Sequence, residues 1–320
     1  MSLARPALQK VITELADGGQ KLSRRALQEF SDLDSASLQA FLEAWPRVAP
    51  GRKRILLDGL RELSDENTLV SFEDLARALL ADPDGQVRTR AIRLLDESED
   101  PKLALTFVKT MASDDDPDTR SEAATALGRY VEGGELEKIP AGTKRRVEDA
   151  LLEKANGEDL PAVRRNALES LGFSSRPEVV TLIESAFRRE NPDWQASALF
   201  AMGRSFDERW EDSVLSRLTD VNPIVRLAAV EAAGELHLAE ARTILFKVLE
   251  DEEEDDITRA AIWSLSQVGG EDARVYLENL LDAAQEGEDI EFIEEALDNL
   301  EFTDELSHFD LMSIDPDEQE

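Results

Sequence analysis

The chain has 320 residues, 42% of them hydrophobic, no cysteine and a formal net charge of −34. So much apolar content argues against wholesale disorder, and the missing cysteine excludes disulfide scaffolds, thiolate metal sites and cysteine nucleophiles. The acidity repels phosphate backbones and anionic lipid, so neither a nucleic acid nor a membrane is the expected partner.

The charge is uneven. Residues 251–320 hold 25 Asp/Glu against Arg259 and Arg274 alone, so most of the excess sits at the C-terminal end. Arg outnumbers Lys 27 to 9, a bias that fits either genome composition or a salty cytoplasm. No apolar run of about 18 residues is present. The first 30 residues contain no unbroken core of the signal-peptide type. A soluble cytoplasmic protein is the expectation.

Residues 1–81 are the least regular part. "SASLQAFLEAWPRVAPGRKRILLDGLREL" reads as a helix pair with a Pro-Gly turn. We expect degenerate helical repeats here, forming an N-terminal cap.

From residue 82 to 301 the chain repeats. Arg88, Arg120, Arg164, Gln195, Arg226 and Thr258 occupy one column, at intervals of 32, 44, 31, 31 and 32 residues. A period in this range marks a solenoid. Three residues on stand Ala91, Ala123, Ala167, Ala198, Ala229 and Ala261, and four further on Leu95, Leu127, Leu171, Met202, Ala233 and Leu265. Val87, Thr119, Val163, Trp194, Val225 and Ile257 precede the column. These places share one helical face, and an alanine in every copy predicts close backbone approach there. Asp116–Pro117, Asn191–Pro192 and Asn222–Pro223 are N-cap and first-turn signals. Gly128, Gly172, Gly203 and Gly234 follow the column by eight residues, where they would permit close packing and an easy helix exit. Each unit is therefore an antiparallel helix pair whose second helix carries the Arg column. The 44-residue interval is read as an insertion at "EGGELEKIPAGT", a loop protruding from the helix turn. "EFIEEALDNL", 291–300, reads as a final half-unit.

These columns resemble HEAT repeats, and "AAIWSLSQVGGEDARVYLENLL" is similar to the phycobilisome-lyase-like HEAT subgroup. The resemblance implies an all-α fold, a right-handed α-solenoid of stacked antiparallel helix pairs, with the second helices lining the concave side. The family's Asp, six residues before the Arg, stands at Asp82, Asp114 and Asp220. It is replaced by Glu158 and Arg189, so a polar ladder along the stack should be interrupted there. HEAT-like deoxyhypusine hydroxylases carry His-Glu pairs that bind iron. This chain has no His-Glu dipeptide, so that activity is not expected.

No catalytic, cofactor-binding or metal-binding constellation is visible. His237 lies in a turn and His308 near the C-terminus, and neither has companion ligands. "DEEEDD" (251–256) and "DDDPD" (114–118) lack the spacing of an EF-hand and read as solvated acidic turns. The column Arg88, Arg120, Arg164 and Arg226 reads as a structural tie between turns, with an anion-binding row as the alternative. Glu169, Phe173, Phe200, Arg204, Glu231 and Trp263 are helix positions not spent on stacking. Aromatics and Arg are typical interface anchors; the competing reading packs these rings between neighbouring repeats. Phe200 and Trp263 stand out because their column is otherwise polar: Arg93, Thr125, Glu169 and Glu231.

Residues 302–320 form an acidic-hydrophobic tail in which Phe302, Leu306, Phe309, Leu311 and Met312 are spread among acids. They would either fold back as a cap on the last repeat or recognise a basic groove on a partner. From Ser313 onward the tail is expected to be mobile. The function these features imply is a non-catalytic scaffold or adaptor without a cofactor, binding a protein or peptide in the concave groove. A basic surface on that partner is one option the acidity leaves open. The alternative is a bilin-lyase-like enzyme handling a tetrapyrrole, supported by shared repeats alone. DNA binding like that of HEAT-like alkylpurine glycosylases would need a basic groove.

Overall fold

The computed structural model describes residues 5–17, 22–285 and 287–313, with side chains through Glu305. Among these residues every regular element is helical. The chain divides into two compact units, Met1–Ser170 and Leu171–Glu320.

The first unit contains α1 (Pro6–Ala16), α2 (Arg24–Gln28), α3 (Ser35–Ala44), α4 (Pro50–Glu66), α5 (Glu73–Leu79), α6 (Gly85–Arg93), α7 (Pro101–Ser113), α8 (Pro117–Glu135), α9 (Ala141–Asn156) and α10 (Pro161–Ser170). The second contains α11 (Pro177–Phe187), α12 (Pro192–Arg204), α13 (Glu211–Leu215), α14 (Pro223–Glu235), α15 (Arg242–Asp251), α16 (Asp255–Val268), α17 (Glu271–Ala283) and α18 (Gly287–Ser313). Each unit is an α-solenoid segment. The second helices of the pairs stack on one another, α6–α8–α10 in the first unit and α12–α14–α16–α18 in the second.

The stacking follows from the repeat columns. All six column alanines, Ala91 to Ala261, are fully buried, as are Leu127, Leu171, Met202, Ala233 and Leu265. Helix starts obey the cap signals: Asp116 accepts from the Thr119 amide, Asn191 from Trp194 and Asn222 from Ile224, each followed by proline at the first helical position.

The column glycines serve packing alone. A Cβ on Gly172 would lie 2.9 Å from the Ala201 Cα, one on Gly203 3.0 Å from the Ala232 Cα, and one on Gly234 2.9 Å from the Ser264 Cα. The helix exit expected of them falls three residues later, on Phe206 (φ 50°) and His237 (φ 51°), which take the left-handed conformation themselves. The His237 amide donates to the Gly234 carbonyl at 2.9 Å and closes that turn.

The arginines of the column bond to the turns around them. Arg88 donates from Nη1 to the backbone carbonyl of Asp82 (2.8 Å), and from Nε and Nη2 to both carboxylate oxygens of Asp114 (2.9 and 2.5 Å). Arg120 repeats this with the Asp114 carbonyl and the Asp159 carboxylate, and Arg226 with the Asp220 carbonyl and the Glu252 carboxylate. Arg164 donates to the Ala155 carbonyl. Asp82, Asp114 and Asp220 also accept from the amide two residues on, each at 2.9 Å, and so shape the turn before the next helix.

Three expectations are corrected. The ladder is not interrupted at Glu158, because the neighbouring Asp159 supplies the carboxylate. The acidic turns are only partly solvated: the side chains of Asp114 and Glu252 are 11% and 7% exposed, in bidentate pairs with arginine, whereas Asp115 is 91% exposed. The insertion is not a protruding loop. Its residues lengthen α8 to 19 residues, and the turn residue Ile139 packs back beside Gly133, where a Cβ would lie 3.0 Å from the Ile139 Cγ1.

The irregular N-terminal segment contains a repeat in different residues. In α4, Lys53 follows Pro50 by three positions, as Arg120 follows Pro117 and Arg226 follows Pro223. Leu56 and Leu60 take the buried alanine and leucine places.

At the other end, α18 runs past residue 301 without a break to Ser313. Ala296 and Leu300 are fully buried, and Asp304 accepts from the Gly270 amide and from Arg274 Nη2, both at 3.0 Å. The side chains of Leu306, His308, Phe309, Leu311 and Met312 lie outside the described residues, as do residues 314–320 and with them the mobility expected there.

Candidate functional site

In the second unit, the positions five residues after the Arg column fall on successive stacked helices: Phe200 on α12, Glu231 on α14 and Trp263 on α16. They line one pocket of about 510 Å³. Leu227, Glu235, Asp256, Arg259, Gln267 and Phe292 complete its wall. Phe200, Trp263 and Phe292 are each half-buried, so they neither sit wholly in the core nor stand free in water.

Cations and rings are interleaved on this face. The Arg204 guanidinium lies 4.0 Å from the Phe200 ring centre and 4.9 Å from that of Phe173. Arg259 lies 3.9 Å over Phe292, whose ring is tilted 30° to Trp263 at 6.4 Å. Such contacts hold rings in place while leaving an edge accessible. Arg204 and Phe173 thus join Phe200 directly. Glu169 lies on α10 in the first unit, half-buried.

The acids of this pocket differ from those of the turns. Glu231 is exposed at the rim, where partial desolvation and then the charge of Glu235 push its carboxyl above its ordinary value. Burial also raises Glu235, with Arg204 opposing. In the turns, by contrast, the hydrogen bonds from Arg120 hold Asp159 far below the usual carboxylate range, and those from Arg226 lower Glu252.

Beside this pocket lies a second, of about 540 Å³, sharing Arg259 and Phe292 and otherwise lined by residues such as Leu249, Ile262, Leu280 and Ile293. Sequence reasoning missed Glu235, Gln267, Arg259 and Phe292. Glu235 and Gln267 follow Glu231 and Trp263 by four residues, which on a helix is the same face, so that spacing would have found them. Phe292 carries no such signal, because α18 lacks the Arg of the column.

His237 is exposed, with Nδ1 2.7 Å from the Gln267 carbonyl. Among the described residues no group of three or more His, Asp or Glu could hold a metal ion, and no helix is long and apolar enough to cross a membrane. Phe302 is 60% exposed.

Residues 72–141 and 211–298 match the family model for HEAT repeats. No curated protein matches the chain. Among solved structures, Kap121p bound to Nup53p is similar over 96% of this chain and 40% of its own, at 14% identity and a TM-score of 0.47. An engineered protein is similar over 92% and 88%, at 16% identity and 0.39. Human deoxyhypusine hydroxylase in complex with glycerol is similar over 82% and 95%, at 18% identity and 0.35. The chain spans less than half the length of the karyopherins it resembles. The repeat columns, their stacked helix pairs and the family match together make the chain a HEAT-repeat protein.

Proposed function

We propose that the chain is a non-catalytic adaptor that holds a protein or peptide partner against the face formed by α12, α14, α16 and α18. One observation carries this reading. Phe200, Trp263 and Phe292 are half-buried around a ligand-sized pocket, with arginines stacked on two of them. Rings needed only for the core would be covered. Rings that keep an open edge beside Arg are what protein interfaces use as anchors. The phycobilisome-lyase-like subgroup and the cytoplasmic setting belong to this same reading.

The test is capture from a native lysate with the whole chain, run beside the Phe200→Ala/Trp263→Ala double variant. A polypeptide retained by the parent and lost by the folded variant supports the adaptor. Equal retention by both overturns this face as the docking site. A coloured, tetrapyrrole-bearing species among the captured material would favour the lyase-like alternative.

A further inference from the structure

Glu231 and Glu235 make no hydrogen bond or ion pair among the described residues. That sets them apart from Asp114, Asp159 and Glu252, each held by an arginine fork. Glu231 is exposed and Glu235 half-buried at the pocket wall, so both carboxylates can meet an entering group, with only the charge of Arg204 acting on Glu235. The only basic side chain in the lining is Arg259, and it is engaged: its guanidinium lies over Phe292 and 3.9 Å from Asp289. With Asp256, the pocket wall holds three carboxylates against that one cation, while Arg204, outside the lining, covers one side of Phe200 and acts on Glu235.

We propose that this pocket takes the cationic side chain of a partner, a lysine or arginine, flanked by Phe200 and Trp263 and neutralised by Glu231 and Glu235. The inference rests on the adaptor reading and adds what the partner must present. An ammonium or guanidinium group satisfies both halves of the pocket, since it is attracted to aromatic faces and forms charge-assisted hydrogen bonds with carboxylates. An anionic group would meet three like charges. An apolar side chain would desolvate the two carboxylates and bring no charge to neutralise them. A metal ion is a poor occupant, because the carboxylates do not converge into a ligand cluster. The overall charge of −34 also steers basic partners toward the chain.

The test is selection from a phage-displayed library of random peptides on the whole chain, with binding of the selected peptides measured on three variants. The proposal expects enrichment of Lys or Arg in peptides that Phe200→Ala weakens. It further expects Glu231→Gln/Glu235→Gln to weaken them about tenfold or more, the loss of charge-assisted contacts to the basic side chain. The double Gln variant should unfold at the same temperature as the parent or higher, which shows that the loss is not a folding defect. Peptides that need Phe200 and Trp263 but carry no basic residue, or that bind the double Gln variant unchanged, overturn the cation pocket and leave the docking face standing. Peptides indifferent to Phe200→Ala and Trp263→Ala, or no selection at all, overturn the docking face and the pocket with it.

Discussion

Lys53 donates to the Asp82 carboxylate at 3.1 Å, from the helix position that Arg88 uses to reach Asp114 one repeat later. Trp45 Nε1 donates to the same carboxylate oxygen at 2.6 Å, and the Lys53 ammonium lies 4.7 Å from the Trp45 ring. The pair is far more buried than a surface salt bridge, with side chains 10% and 2% exposed. Removing one partner leaves an uncompensated buried charge. Asp82→Ala is therefore expected to cost about 3–5 kcal/mol in urea unfolding, and a loss under about 1 kcal/mol would show that the pair is not part of the ladder.

The turn carboxylates set the acid limit. Arg120 holds Asp159 well below its ordinary value of 3.8. Asp114 is also lowered: burial pushes it up, but the hydrogen bonds from Arg88 and the Asp116 amide outweigh that. A depressed carboxylate contributes stability that is complete above the unfolded value and is lost as pH falls through the folded one. The melting-temperature difference between the parent and Asp159→Asn should therefore be largest near neutrality and shrink below about pH 4. A difference independent of pH would contradict the ion pair.

Glycine placement gives a paired test. Gly172→Ala puts a methyl 2.9 Å from the Ala201 Cα and carbonyl oxygen, so the turn at Gly172 must shift away from α12, at about 1–3 kcal/mol. Gly142→Ala, in the first turn of α9 with nothing within 4 Å, should instead stabilise by about 0.4–1 kcal/mol. Denaturant midpoints of the two variants moving in the same direction would refute the packing account.

The repeat was legible because the Arg and Ala columns sit at one-turn spacing on every second helix, and burial then follows from geometry. What escaped had lost its marker. Lys53 stands where Arg is expected and Leu56 where Ala is, although Pro50 and Asp82 still frame them. Asp159 does the work of the family's Asp from one residue along. Phe206 and His237 take a left-handed turn that composition assigns to glycine. The proposed docking face was half legible. Phe200, Glu231 and Trp263 share a column, but Arg259 and Phe292 come together only when α16 and α18 stack.

The start of the C-terminal segment ties back to the last repeat through Asp304, which supports the capping role. Deleting residues 303–320 should lower the melting temperature and promote self-association. Unchanged stability with loss of the partner would make the segment a recognition tail. Survival of both properties would leave it neither role.

The most direct test of the docking face compares affinity and stability in one variant. Phe200→Ala should weaken binding of the captured partner by more than about 1 kcal/mol. Its cost in urea unfolding should stay below the roughly 3–5 kcal/mol of a buried aromatic truncation. A stability loss in that buried range with unchanged calorimetric affinity would contradict the account and make Phe200 a core residue.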